Sequence, residues 1–172
     1  MILSDVEIKE AIKKGDLVFE PELARDQIGA ASVDLTLSGD FWVFKREYVG
    51  KKLDLTKIDF RKATEKVVAE RMELKPAELV LGRTIEKIRV APDLMGTLEG
   101  RSTYARMGLA VHVTSALVQP GSDNRQVLEI VNMSPNTLII HKGMRISQVV
   151  FSQLGKKTSK PYAKFGKVAI RQ

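Results

Sequence analysis

No cysteine occurs among the 172 residues, and only two histidines, His112 and His141, are present. Disulfides are thereby excluded, as is every zinc site built on thiolates, and a metal site rich in imidazole lacks its ligands. No run approaches the roughly 18 consecutive apolar residues that a membrane span needs. The opening MILSDVEIKE also lacks the basic-then-apolar layout of a signal peptide. A membrane association is not expected, and the cytoplasm is the expected compartment. What is present is an ordinary globular mixture, 44% hydrophobic and 28% charged, which places the chain far from compositions that stay disordered. The length fits one domain over residues 1–172.

Acids are the scarcer charge, 21 against 28 Lys and Arg, for a formal net charge of +7. The excess is local. Lys156, Lys157, Lys160, Lys164, Lys167 and Arg171 lie in the segment 155–172 with no acid among them, so six of the seven surplus charges belong to this tail. Such a tail suits a polyphosphate ligand, nucleic acid or solubility alone. High Lys and Glu content without Cys is also the composition of heat-adapted proteins.

Ser4 followed by Glu7 has capping-box spacing, and Val6, Ala11 and Ile12 give an apolar stripe before Gly15, which predicts one short N-terminal helix. From residue 31 the pattern changes. SVDLTL over 32–37 alternates, and FWVF over 41–44 is dense in strand formers. Residues 53–74 are mixed and read as loops with a strand or short helix. Apolar runs then recur at 79–81, 85–90, 95–98, 109–113, 127–131, 138–140 and 146–151, separated by the turn clusters APD, QPGSDN, MSPN and HKGM. Many short strands at even spacing predict a mainly β fold, a jelly-roll or β-barrel, with the short helix at its N-terminus.

Two stretches carry chemistry. GRSTYARMGL, 100–109, places Arg101, Ser102, Thr103 and Arg106 within six positions. If 102–107 forms a helical turn, Ser102 and Arg106 share a face beside unpaired backbone N–H groups, flanked by Gly100 and Gly108, which is an anion cradle. An Arg/Ser-rich surface turn with no ligand reads the same way. In VLEIV, 127–131, Glu129 shares a face with Val127 and Val131 while Leu128 and Ile130 take the other, so both faces look buried. A carboxylate there costs several kcal/mol unless paired. The alternatives are a functional acid, an edge-strand glutamate facing water, or a structural ion pair. A carboxylate beside a cationic phosphate cradle suits proton shuttling on a nucleotide without a protein-bound metal, with Arg106 as its counter-charge. His112 and His141 read as structural. Trp42 and the aromatics around it read as core or subunit contact, because no second aromatic-basic cluster accompanies them in sequence.

GRSTYARMGLAVHVT over 100–114, the PG at 120–121, VLEIVN over 127–132, GMRISQVVF over 143–151 and PYAKF over 161–165 together resemble the dCTP deaminase family, as do MILSD at the start and ASVDL at 31–35. The resemblance implies a distorted jelly-roll of the dUTPase-like type, a homotrimer with sites between subunits, and hydrolysis of the 4-amino group of dCTP to dUTP and ammonia without zinc. The bifunctional branch of the family goes on to dUMP and diphosphate. On this resemblance Glu129 moves the protons, Ser102 and the Ser115 carbonyl hold the water, and Arg106 pairs with Glu129. Substrate binding falls to Arg101, Ser102, Thr103, Tyr104, Ala105 and Arg106, to Gln119, to Val127, Leu128 and Glu129, and to Gln148, Tyr162 and Lys164. Mg²⁺ is implied only on the substrate triphosphate. The basic tail 155–172 would close the site. An inactive trimer that binds nucleotide or nucleic acid is the remaining alternative.

Three departures stand out. VQPGSDN places Gln119 where the family pattern has a sugar-facing Asp, so the diphosphatase step loses its acid unless Asp123 replaces it. The tail runs from PYAKF straight into GKVAI, leaving Lys167 as a replacement phosphate contact. Thr103 stands where Ser is more familiar and keeps the hydroxyl.

Overall fold

The computed structural model describes residues 1–112 and 114–165. The predicted capping box forms: the Glu7 backbone N–H donates to the Ser4 hydroxyl, and the Glu7 carboxylate accepts from the Ser4 backbone N–H at 2.8 Å. Helix α1 then runs Asp5–Lys14 and stops where Gly15 turns left-handed at φ 79°. Its buried stripe is Ile8 and Ala11 with Ile12 packed beside them, whereas Val6 is exposed. The reason is the helical period, since 8, 11 and 12 share a face and 6 does not.

Strands β1 (Leu17–Glu20) and β2 (Val33–Phe44) follow. β2 joins the two predicted strand pieces into one, with the register against its partner shifting between Leu37 and Phe41. Within it Phe41 is fully buried, but Trp42 lies on the outer face, half-buried, and Phe44 is exposed; only the first of these three belongs to the core. The mixed stretch resolves into α2 (Phe60–Ala63), β3 (Thr64–Val68) and β4 (Arg71–Leu74). β5 (Leu79–Val90) again fuses two predicted runs across an irregularity between Arg83 and Lys87. β6 (Leu94–Gly100), the one-turn α3 (Ser102–Ala105), β7 (Leu109–Val111), β8 (Leu117–Val118), β9 (Asp123–Asn132), β10 (Leu138–His141), β11 (Arg145–Gln153) and α4 (Tyr162–Phe165) complete the order.

Nine strands form one curled antiparallel sheet in the order β7-β9-β5-β2-β11-β6-β8, with β1 also on β5 and β3 also on β2; β10 and β4 pair separately. The mainly β, jelly-roll expectation holds. Alternation does the building. Leu37, Phe41, Val80, Leu128, Ile130 and Phe151 point inward and are shielded from solvent, each contributing roughly 1.5–3 kcal/mol by burial. The opposite face of β9 differs from expectation. Val127, Glu129 and Val131 are half-buried rather than sealed, because no second layer among the described residues covers them. Asn132, fully buried at the end of β9, donates to the Leu74 and Asn136 carbonyls and accepts from Ser134, which pins the loop after β9. Gly108 turns at φ 84° against that loop; a β-carbon there would lie 2.7 Å from Ser134 Cβ.

Candidate active site

β9 presents Glu129 on its outer face opposite Leu81 of β5, with a 27% exposed side chain. The backbone then closes a pocket around it. β7 ends at His112, whose φ of 58° is left-handed and whose N–H donates to the Glu129 carbonyl at 2.7 Å. This turn brings the imidazole inward, 6% exposed, with Nδ1 3.5 Å from Glu129 Oε2. The ring's Nε2 bonds the Ser115 carbonyl. A carbonyl only accepts, so Nε2 carries a proton, and Nδ1 faces the carboxylate. The Thr114 hydroxyl donates to the same Oε2 at 3.4 Å.

The resulting cavity holds 360 Å³ and is walled by Leu81, Val127 and Glu129 from the sheet, His112 and Ser115 from the loop, Leu117, Val118 and Gln119 from β8 and its turn, Ser122, Asn124 and Gln126 from the start of β9, and Phe60 and Tyr162 at its rim. Glu129 is the one acid among these residues. Two buried polar atoms in the wall, His112 Nδ1 and Ser122 Oγ, have no hydrogen-bond partner among the described residues. Each costs about 1–3 kcal/mol, so together they mark a surface built for polar groups brought from outside.

The C-terminal segment docks on this wall. Tyr162 N–H donates to the Pro120 carbonyl at 2.9 Å and Ala163 N–H to the Gly121 carbonyl at 3.0 Å. Gly121, at φ 74°, is required, because a β-carbon would lie 2.6 Å from Pro161 Cβ. Tyr162 thereby reaches the cavity, while Lys164 is exposed beyond it. Lys167 lies outside the described residues, as does Arg171.

The other predicted residues sit elsewhere in the single chain. Ser102, Thr103, Tyr104 and Ala105 form α3, and Arg106 N–H closes its turn on the Ser102 carbonyl at 3.1 Å, as the spacing predicted. Ser102, Thr103 and Arg106 are exposed, and no residue of 101–106 lines the cavity; among the described residues the groups facing Glu129 are His112 and the Thr114 hydroxyl. Leu128 faces the core. Asp123 points away from the cavity and pairs with Lys87 at 3.1 Å. Arg101 is held by Asp34 at 3.1 Å and by the Arg145 carbonyl, while Arg145 grips Asp26 with both Nη groups. Gln148 is tied to the Gly100 carbonyl and to Ser32. Burial holds Asp34 above the usual carboxylate value despite Arg101 and Arg145, whereas the Arg145 hydrogen bond holds Asp26 below it. Among the described residues no group of three or more His, Cys, Asp and Glu could hold a metal ion.

His112 and Ser122 are the site residues that sequence reasoning missed. The first read as a strand histidine and the second as a turn residue, and neither signal foretold a left-handed φ or an orphaned hydroxyl.

A curled, mainly antiparallel jelly-roll of this kind is the dUTPase-like fold. The solved EIAV dUTPase shares this fold with a TM-score of 0.54 at 16% identity, covering 84% of this chain and 94% of its own. The Agrobacterium tumefaciens 2'-deoxycytidine 5'-triphosphate deaminase structure matches at TM-score 0.68 and 20% identity over 87% of this chain. This chain spans 47% of that one, about half its length. In sequence, a dCTP deaminase-like family model matches residues 2–154. A Methanopyrus kandleri protein named "dCTP deaminase, dUMP-forming" is 39% identical over 169 residues, 94% of this chain and 86% of the relative. The Rhodospirillum rubrum dCTP deaminase is 39% identical over 172 residues, 95% and 88%. The chain belongs to the dCTP deaminase-like family.

Proposed function

We propose that this protein hydrolyses dCTP to dUTP and ammonia, with Glu129 as the proton carrier. The observation that supports it most is the cavity itself, where one carboxylate and two unpartnered polar atoms face the same space along a strand edge. The pyrimidine lies against Val127 and Glu129. Glu129 takes a proton from water as the oxygen attacks C4 and delivers it to N3, then passes the remaining hydroxyl proton to the amine, so that the C–N bond breaks, a C=O bond forms and ammonia leaves. His112 positions the carboxylate. The Ser115 carbonyl, now bonded by His112, is the water's acceptor once the ring yields it. Gln119, Ser122 and Tyr162 meet the sugar.

The Arg101–Arg106 segment reaches this chemistry from a neighbouring copy. Leu79, Leu81, Val127 and Val131 leave an apolar outer face around Glu129, with Leu79 37% exposed, which a second subunit would cover. A homotrimer places Ser102 beside the water, Arg106 beside Glu129, and Arg101 and Thr103 on the phosphates. Mg²⁺ travels with the triphosphate. No helix among the described residues is long and apolar enough to cross a membrane, and the cytoplasm is the compartment we assign.

Ammonia release from dCTP tests the reading; a purified protein that releases none overturns it. A second reading, onward cleavage to dUMP, is favoured by the name of the Methanopyrus kandleri relative. Against it, the cavity offers Gln119 where an acid is needed, and Asp123 is committed to Lys87. Chromatography of the products decides: dUTP alone rejects it.

A further inference from the structure

Beside the cavity, and sharing Phe60, Asn124 and Val127 with it, lies a larger groove of 550 Å³. Five cations face it: Arg61 from α2, Lys66 from β3, Arg83 and Lys87 from β5, and Arg125 from β9. Only two carboxylates answer them. Asp40 lies half-buried between Lys66, at 3.2 Å, and Arg83, while Asp123 takes Lys87 at 3.1 Å. These acids fix the cations in place without cancelling them. Arg125 is oriented in turn by donating Nε–H to the Ile85 carbonyl at 3.0 Å. On the floor lies Trp42, with the Lys66 ammonium 5.8 Å from its ring centre, and Phe60 carries the Arg61 guanidinium at 5.7 Å. The aromatic-basic cluster that the sequence did not show is therefore assembled in space from five elements.

Surplus positive charge on rigid strands next to a flat aromatic face matches an anion of several charges that carries a ring. We propose that this groove is a second nucleotide site, which takes a nucleoside polyphosphate with its phosphates on Arg83, Lys87 and Arg125 and its base on Trp42 in place of the Lys66 ammonium. Val127 and Asn124 form the shared wall, so occupancy of the groove is felt in the cavity. The binding itself does not depend on the deaminase reading.

Trp42 is the chain's single tryptophan, so its fluorescence reports directly on the groove. The probe is Mg-ATP, a purine nucleotide that the pyrimidine-edge cavity does not match. Saturable quenching by ATP, displacement of ATP by inorganic triphosphate and no response to adenosine are expected. The Lys87→Gln/Arg125→Gln double variant weakens ATP binding by at least about tenfold, as loss of two charge-assisted contacts requires, and keeps its dCTP turnover without ATP. Arg83→Gln, which removes the third phosphate contact, supplies an independent substitution with the same direction. No saturable response, or ATP binding that survives these changes, overturns the proposal. So does one-for-one displacement of ATP by dCTP in a Glu129→Gln background, which would place ATP in the cavity. ATP binding at the groove of a protein that releases no ammonia leaves this inference standing and removes the other.

Discussion

Two polar regions of this molecule contrast. Around Arg101, side chains answer one another: Asp34 holds Arg101, Asp26 holds Arg145, and buried Glu86 accepts from Gln27 Nε2 and the Thr36 N–H, each at 2.8 Å. Around Glu129, His112 Nδ1 and Ser122 Oγ are left without partners. A satisfied network fixes geometry, and an unsatisfied one stores free energy that a ligand releases. On the proposed function, the first region holds Arg101 ready for a phosphate and the second receives the reacting base.

The sharpest break in this comparison is Glu129→Gln, which keeps the shape of the pocket and removes its base. Turnover of dCTP drops at least about a hundredfold, read as ammonia release, while the melting temperature stays near that of the parent. Normal turnover would remove Glu129 from the mechanism. Glu86→Ala should do the reverse, costing about 2–4 kcal/mol in urea unfolding because the buried Gln27 amide and the half-buried Thr36 N–H lose their acceptor; an unchanged midpoint would show that the network is not structural. His112→Ala frees the Ser115 carbonyl and leaves Glu129 unsteered, and kcat falls about tenfold, one hydrogen bond's worth, with KM less affected. His112→Gln, which still donates, recovers part of the loss.

Smaller effects separate the regions further. Because burial raises Asp34, the unfolded chain ionises first as pH climbs, so this group's contribution to stability falls between its unfolded value and its raised folded one. Asp34→Asn should flatten that part of the profile of urea midpoint against pH, and it should raise KM by loosening Arg101. Ser122→Ala removes a buried hydroxyl that no described residue satisfies, so stability does not fall and gains up to about 1–3 kcal/mol, while KM for dCTP rises. A clear loss of stability instead would mean that Ser122 serves the fold.

Local rules were legible where one residue controls its own neighbourhood. The Ser4–Glu7 box, the Gly15 stop and the turn after Gly100 all follow from short-range chemistry. Glu129 could be singled out because a carboxylate in an apolar strand is expensive wherever it sits. The sealing of its outer face could not be judged, since that depends on which strands lie beyond β9 and whether anything covers them. The groove around Trp42 was hidden for the same reason. Its cations come from positions 61, 66, 83, 87 and 125, and only the sheet order brings them together. His112 was hidden by its backbone, because VHV alternates like any strand until φ reverses.

Gly121 has a consequence for how the chain's end behaves. Since nothing larger than hydrogen fits between it and Pro161, the turn and residues 161–165 form a matched pair, and a methyl group added to one would unseat the other. Whether residues 161–165 serve as part of a wall or hang as an idle appendage is settled by a gap the width of a single carbon.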